Sequence, residues 1–236
     1  MLPWDAEQLT FDETRFSGVA RLFPLPDLVM FPHVIQPLHI FEPRYRDMLN
    51  DALDSDGLIA MGVLAPGWEA DYEGRPELFP QVCLGKVVTH QRLQDGRYNI
   101  MLLGSRRARL LAEIPSNRPF RQAEIELIDD VQSNSGEADR AEIQTELTVR
   151  FQNALPLSEG CKTQGAVHDL LTSDLPLGVL TDLVSFALPL DQRLKCELLA
   201  EANVDRRARM LLRALGAPTQ RIASASAGFP ARFSQN

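Results

Sequence analysis

Short runs of apolar residues, several of them alternating with polar ones, fill the first half of the chain. They lie at residues 19–23, 57–64, 82–93, 97–104, 106–114 and 120–129. In the last of these runs, Ala123, Ile125 and Leu127 alternate with polar and charged neighbours, which predicts a strand with one buried face. Asp95-Gly96 separates the third and fourth runs, and this dipeptide suits the positive φ angles of a tight hairpin turn. Short strands joined by turn signals predict a small barrel or sandwich.

Helical spacing interrupts this pattern near 43–55, where Pro43 suits a first helical position, and replaces it in the second half. Helices are predicted near 141–155, 166–172 and 176–188, and Asp191 and Asp205 are predicted to cap two more. We therefore divide the chain into four parts by composition. They are an acidic N-terminal extension (1–18), a β subdomain (19–130), a helical subdomain (138–216) and a small, polar tail expected to be disordered (217–236).

The stretch 22–45 combines five prolines with many large apolar residues. Because proline has no N–H to donate to a strand ladder, a regular central strand through the whole stretch is excluded. We expect short extended pieces that cross the edge of a barrel, with the apolar side chains closing its open end.

The same stretch closely resembles the opening signature of the LON N-terminal domain family, which begins the ATP-dependent Lon proteases. The matching residues are Phe23, Pro24, Leu25, Phe31, Pro32, Pro37, Leu38, His39, Ile40, Phe41, Glu42, Arg44 and Tyr45. The likeness resumes at 95–110 and 188–215, so it spans roughly 19–215. It implies an α+β fold in which a PUA-like β pseudo-barrel precedes a C-terminal α-helical bundle. It also implies recognition of protein substrates, here by a stand-alone domain without the ATPase and peptidase parts.

Charge and hydropathy narrow the classes of partner. The net charge is −8, which opposes general affinity for nucleic-acid phosphates, so we expect no nucleic-acid partner. The sequence has no apolar run of the length that a membrane helix needs, and its acidic start lacks the layout of a secretory signal. We therefore expect a cytoplasmic protein without a membrane partner, whose oligomeric state stays open.

The sequence lacks the phosphate-binding motif and the peptidase domain that ATP-dependent proteolysis needs. The segment 155–163 is the nearest approach to a phosphate-binding loop, but it lacks the first glycine and Cys161 separates Gly160 from Lys162. The family's Ser–Lys peptidase domain has no counterpart here. No cysteine or carboxylate completes a ligand set around His33 and His39. We expect no catalytic residue, no cofactor and no metal.

The leading hypothesis is a non-catalytic module that binds proteins or unfolded peptides. Its candidate contacts are three hydrophobic side chains, a tyrosine and a helical arginine stripe: Met30, Phe31, Trp68, Tyr72, Arg206, Arg209 and Arg213. Two alternatives stay open. One is a hydrolase whose site the sequence does not reveal, for instance at His39, at the acidic loop 67–79, or at a Cys–His pair assembled by folding. The other is an RNA-binding module that uses the arginine stripe.

Overall fold

The computed structural model describes residues 11–72, 74–133, 137–154 and 175–216. The chain forms two compact units, the first ending at Ile128 and the second beginning at Asp129. The predicted helix at 166–172, the predicted tail at 217–236 and residues 1–10 of the predicted N-terminal extension lie outside the described residues. Within that extension, Phe11 and Phe16 pack against the core of the first unit.

Six strands form the mixed sheet of the first unit. They are β1 (Val19–Leu25), β2 (Ile35–Ile40), β3 (Leu58–Val63), β4 (Gln81–Arg92), β5 (Tyr98–Ile114) and β6 (Gln122–Ile128). The strand order is β2-β5-β4-β3-β1-β6, and β6 also pairs with β5. This extra pairing joins β1, β3, β4, β5 and β6 into a closed ring, and β2 remains outside it. The α+β fold with a closed β portion is confirmed.

The interior of this ring is lined by small and branched apolar residues. Its buried cluster comprises Ala20, Leu22, Leu58, Ala60, Val82, Leu84, Ala108, Ala123 and Ile125. Strands β4 and β5 meet at Asp95-Gly96, where Gly96 has a φ of 81°, so the predicted hairpin turn is confirmed. The two runs predicted at 97–104 and 106–114 form the single strand β5. Register shifts in its pairings with β4 and β6 mark the bulges that bend a long strand around a small barrel.

The proline-rich stretch contains the end of β1 and the whole of β2, which are short extended pieces of the kind expected there. Strand β1 continues through Pro24, which pairs in parallel with Gly62 of β3, and β2 contains Pro37. Strand β2 pairs only with β5 among the described residues and so forms an edge, the place in a sheet that tolerates proline. Helix α1 (Pro43–Leu53) follows and has Pro43 at its first position, as predicted.

The described part of the second unit holds four helices. They are α2 (Glu137–Ala154), α3 (Leu177–Ala187), α4 (Gln192–Ala200) and α5 (Val204–Gly216), and α5 contacts both α2 and α3. Asp191 caps α4 by accepting a hydrogen bond from the Arg193 N–H, as predicted.

The predicted N-cap role of Asp205 is wrong. Helix α5 begins at Val204, and Asn203 Oδ1 accepts the hydrogen bond from the Arg206 N–H at its start. Asp205 is fully buried instead, where it accepts from the Ser133 N–H at 2.9 Å and pairs with Arg140 at 3.2 Å. The sequence does contain a capping residue at the start of α5, but that residue is Asn203, two positions before Asp205.

Candidate functional site

An apolar patch lies on the outer face of the first unit where β2 and β5 pair. Ile35 lies opposite Leu103, and Pro37 lies opposite Met101. Ile35 is 49% exposed and Met101 is 40% exposed, while Pro37 and Leu103 are half-buried. Residues two apart in a strand share a face, so these four side chains form one surface. We call Ile35, Pro37, Met101 and Leu103 the outer-sheet patch.

The patch borders the edge of the sheet, because β2 has no strand partner beyond β5 among the described residues. An edge strand presents backbone N–H and C=O groups that can pair with another extended chain. Pro37 removes one of those donors and thereby limits indiscriminate pairing. The β2 edge therefore presents backbone N–H and C=O groups next to the apolar outer-sheet patch.

A close backbone crossing holds β2 in place. His33, which has a φ of 65°, donates its N–H to the Gly104 carbonyl at 2.8 Å, and the Gly104 N–H donates to the Val34 carbonyl at 2.8 Å. A Cβ on Gly104 would overlap the Phe31 carbonyl oxygen and lie 2.9 Å from its carbonyl carbon. Glycine is therefore required at 104, because only a residue without a side chain lets the loop cross β5 this closely.

Met30 and Phe31 are buried, with 1% and 0% exposure, so their predicted role as exposed partner contacts is wrong. The loop that carries them crosses β5 and turns both side chains into the core. Phe23 and Leu25 are buried too, so this part of the signature serves packing.

Trp68 and Tyr72 belong to a half-buried cluster around the start of α1. The Tyr72 hydroxyl donates to Glu42 Oε1 at 2.9 Å, and the Arg44 guanidinium lies 5.0 Å from the Tyr72 ring centre. Burial and the Glu42 carboxylate raise the pKa of Tyr72. Trp68 packs edge-on against Tyr72, with ring centres 5.5 Å apart. These contacts hold part of the predicted binding loop against the barrel.

The arginine stripe of α5 is exposed at Arg206, Arg209 and Arg213. Arg207, between the first two, is fully buried and forms two hydrogen bonds of 2.7 Å with the Asp130 carboxylate. Helix α5 contains no aromatic residue, whereas RNA-binding surfaces combine basic side chains with aromatic ones on which bases stack. The arginine stripe therefore supplies the basic side chains of such a surface, but α5 supplies no aromatic ones.

The described residues supply little nucleophilic or metal-binding chemistry. Burial raises the pKa of Cys83 to about 12 and that of Cys196 to about 11, so both thiols are protonated at neutral pH. His39 is held by Asn99, with 2.7 Å between Nδ1 and Oδ1. No group of three or more potential metal ligands occurs in the described ranges. Cys161, His168 and the segment 155–163 lie outside the described residues.

Sequence reasoning missed Ile35 and Met101. No local signal marked them, because the polar Gln36 is buried beside exposed Ile35, and Met101 stands between the equally apolar, buried Ile100 and Leu102. Within the described ranges, the structure also holds no helix that combines the length and apolarity needed for a membrane span.

Comparison with known proteins agrees with this fold. The family described as "ATP-dependent protease La (LON) substrate-binding domain" matches residues 19–216. Lon protease 2 of Desulfotalea psychrophila is 29% identical over 200 residues, which are 84% of this chain and 25% of that protein. Lon protease of Haemophilus influenzae is 26% identical over 193 residues, covering 81% of this chain and 23% of that protein. The chain thus spans about a quarter of the length of these relatives.

Two solved structures share the fold. The N-terminal domain of Mycobacterium avium complex Lon protease has a TM-score of 0.64 at 16% identity, covering 85% of this chain and all of that one. A Lon N-terminal domain protein from Xanthomonas campestris has a TM-score of 0.59 at 19% identity, covering 83% of this chain and 97% of that one. These structures show the fold, and the family match supports a substrate-binding module. The chain belongs to the LON substrate-binding domain family.

Proposed function

We propose that this chain binds extended or unfolded segments of other proteins through the outer-sheet patch and the β2 edge, without catalysing a reaction. The observation that carries the proposal is the exposure of Ile35 and Met101 on neighbouring strands at the open edge of the sheet. The family description as a substrate-binding domain supports a polypeptide as the ligand.

The geometry suits an added strand. An extended peptide that pairs with β2 would place every second side chain on the face that carries Ile35 and Pro37. Backbone hydrogen bonds would then supply affinity without regard to sequence, and the apolar patch would select hydrophobic side chains. Unfolded proteins expose backbone hydrogen-bonding groups and hydrophobic side chains, whereas folded proteins bury most of both.

We further propose that the chain acts as a receptor or adaptor for protein substrates in the cytoplasm. The absence of a metal-ligand cluster in the described ranges and the protonated thiols of Cys83 and Cys196 support a non-catalytic role. Cleavage of a bound substrate would then require a different active site, and the relatives named Lon protease suggest its class.

Fluorescence anisotropy with one defined peptide tests the binding surface. The probe is an eight-residue peptide that alternates apolar residues with serine and carries an N-terminal fluorophore and a C-terminal amide. Met101→Asp should weaken its binding about tenfold or more, because burial of one such side chain contributes roughly 1.5–3 kcal/mol. Leu111→Asp is the matched control, since Leu111 is 53% exposed on the same strand β5 but lies outside the patch.

Unchanged affinity in Met101→Asp would refute the assignment of the patch. An equal loss in Leu111→Asp would refute it too, because the effect would then come from general charge. Far-ultraviolet circular dichroism of each variant separates lost binding from lost folding.

A further inference from the structure

A cleft of about 260 Å³ opens beside the start of α1 in the first unit. Three arginines, two aromatic residues, a proline and a glycine line it: Arg44, Tyr45, Gly74, Arg75, Pro119, Phe120 and Arg121. They come from three separate segments of the chain. Aromatic side chains and a proline supply part of its wall and the charged lining residues are arginines, a combination that the outer-sheet patch does not offer.

Two of the arginines are held rigidly. Arg121 is 8% exposed, donates from Nε to Glu113 Oε2 at 2.9 Å and from Nη1 to the Pro76 carbonyl at 2.9 Å. Arg44 donates from Nε to Glu42 Oε2 at 2.9 Å, and its Nη2 also lies 2.9 Å from that oxygen. Fixed guanidinium groups lose little conformational entropy when a ligand arrives, which favours binding.

Arg75 is the most accessible of the three arginines. Its Nη1 lies 3.9 Å from Glu113 Oε2, whose carboxylate already receives two hydrogen bonds from Arg121. The Arg75 side chain is 47% exposed and therefore accessible to a ligand. Arg44 is thus paired with Glu42 and Arg121 with Glu113, and the Asp71 carboxylate lies against Gly74 in the lining. Among the three arginines, Arg75 has the longest ion-pair distance and the most exposed side chain.

We propose that this cleft binds a carboxylate of the polypeptide held by the outer-sheet patch, either the chain terminus or an acidic side chain. This inference rests on the proposed function, because it takes the ligand to be a polypeptide. A guanidinium matches a carboxylate with paired hydrogen bonds. A single accessible guanidinium suits the one charge of a carboxylate, whereas a phosphate group carries about −1.5 to −2. Tyr45 and Phe120 provide the apolar wall for a neighbouring side chain.

The two surfaces are close enough for one peptide. Strand β2 ends at Ile40, and the chain enters α1 at Pro43, so His39 and Arg44 are five residues apart. Five residues span at most about 18 Å when fully extended. A peptide of about six extended residues therefore reaches from the end of β2 to the cleft.

The test extends the anisotropy assay to three peptides of the same apolar–serine sequence. The first ends in a free carboxylate, the second ends in an amide, and the third is amidated but carries glutamate near its end. The free acid or the glutamate peptide should bind about fivefold more tightly than the amide at low salt, as expected for a partly exposed charge-assisted pair. Arg75→Gln should abolish that preference and leave binding of the plain amide unchanged.

Arg97→Gln provides the matched control, because Arg97 is a 48% exposed arginine in the β4–β5 turn, outside the cleft. It should keep the preference for the acidic peptide. A preference shown by the free acid alone identifies the chain terminus, and one shown by the glutamate peptide identifies an acidic side chain.

Equal affinity for all three peptides, or a preference that survives Arg75→Gln, overturns the carboxylate site and leaves the outer-sheet patch standing. Failure of all three peptides to bind overturns the proposed function and this inference with it. The two failures are therefore distinguishable.

Discussion

Replacement of Gly104 by alanine should detach the loop that anchors β2 and lower the stability of the first unit. The added Cβ would overlap the Phe31 carbonyl oxygen and would lie 3.1 Å from Pro32 Cα. Both obstacles are backbone atoms, so no side-chain rotation can relieve the overlap. The loop must move away from β5 or β5 must bend.

The size of the effect follows from the hydrogen bonds at this crossing. Separation of the two backbones breaks the bonds from His33 N–H to Gly104 O and from Gly104 N–H to Val34 O, each 2.8 Å long. Each bond contributes about 0.5–1.5 kcal/mol, and a buried group left without a partner costs about 1–3 kcal/mol. We expect Gly104→Ala to lower the free energy of unfolding by about 2–4 kcal/mol.

Urea unfolding followed by tryptophan fluorescence measures this change. A Trp4→Phe background makes Trp68 the sole reporter, since the chain contains two tryptophans, and Trp68 lies in the first unit. Gly62→Ala is the matched control, because Gly62 also lies in a strand but its Cβ would meet Leu78 Cδ1 at an ordinary 3.4 Å. Gly62→Ala should be neutral or stabilise the unit by up to roughly 1 kcal/mol.

Hydrogen exchange provides a second, local readout. The amide hydrogens of His33 and residue 104 should exchange faster in Gly104→Ala than in wild type under native conditions. If Gly104→Ala unfolds at the same urea concentration as Gly62→Ala and keeps both amides protected, the close crossing is not what requires glycine at this position.

Three further predictions concern buried charge and buried thiol groups. Arg207→Met should lower the free energy of unfolding of the helical unit by about 2–4 kcal/mol, because it removes two hydrogen bonds from a fully buried guanidinium to the Asp130 carboxylate. Arg209→Met on the exposed face of α5 should change it by under about 0.5 kcal/mol, and calorimetry measures both changes. Burial alone would raise the pKa of Asp205, but hydrogen bonds from Ser133 and an ion pair lower it. Its stabilising contribution is therefore complete above its unfolded pKa of about 3.9 and is lost as the pH falls through the lower folded pKa, a dependence that Asp205→Asn should remove from acid-unfolding curves. Cys83 should resist thiol reagents at pH 8 until urea unfolds the chain, as followed by mass spectrometry.

The regular elements were predictable because local patterns dictate them. Short apolar runs between turn signals indicated β1, β3 and β4, and alternation indicated β6. Asp95-Gly96 indicated the hairpin turn, and Pro43 marked the start of α1. In each case the decisive signal lies within a few residues of the element. Strand β2 was expected only as an extended piece at the edge of the barrel without bounds, because Pro37 argues against a regular central strand and is tolerated at an edge.

Exposure within the proline-rich stretch was not predictable. Its apolar residues follow no single period, so nothing local distinguishes buried Phe31 from exposed Ile35. The crossing at Gly104, which is 73 positions from Phe31, decides which side chains turn inward. The same holds on α5, where Arg206 is exposed and Arg207 is fully buried because Asp130 supplies its partner.

The sequence by itself determined the family, the strands and helices with clear periodicity, and the absence of a phosphate-binding motif. Only the tertiary structure decided which surfaces are available. The outer-sheet patch joins residues of β2 and β5, and the cleft joins three arginines from segments up to 77 positions apart, Arg44 and Arg121 among them. Local sequence patterns determine the conformation of the backbone segment in which they lie. A binding surface depends instead on which distant residues the folded chain brings into contact.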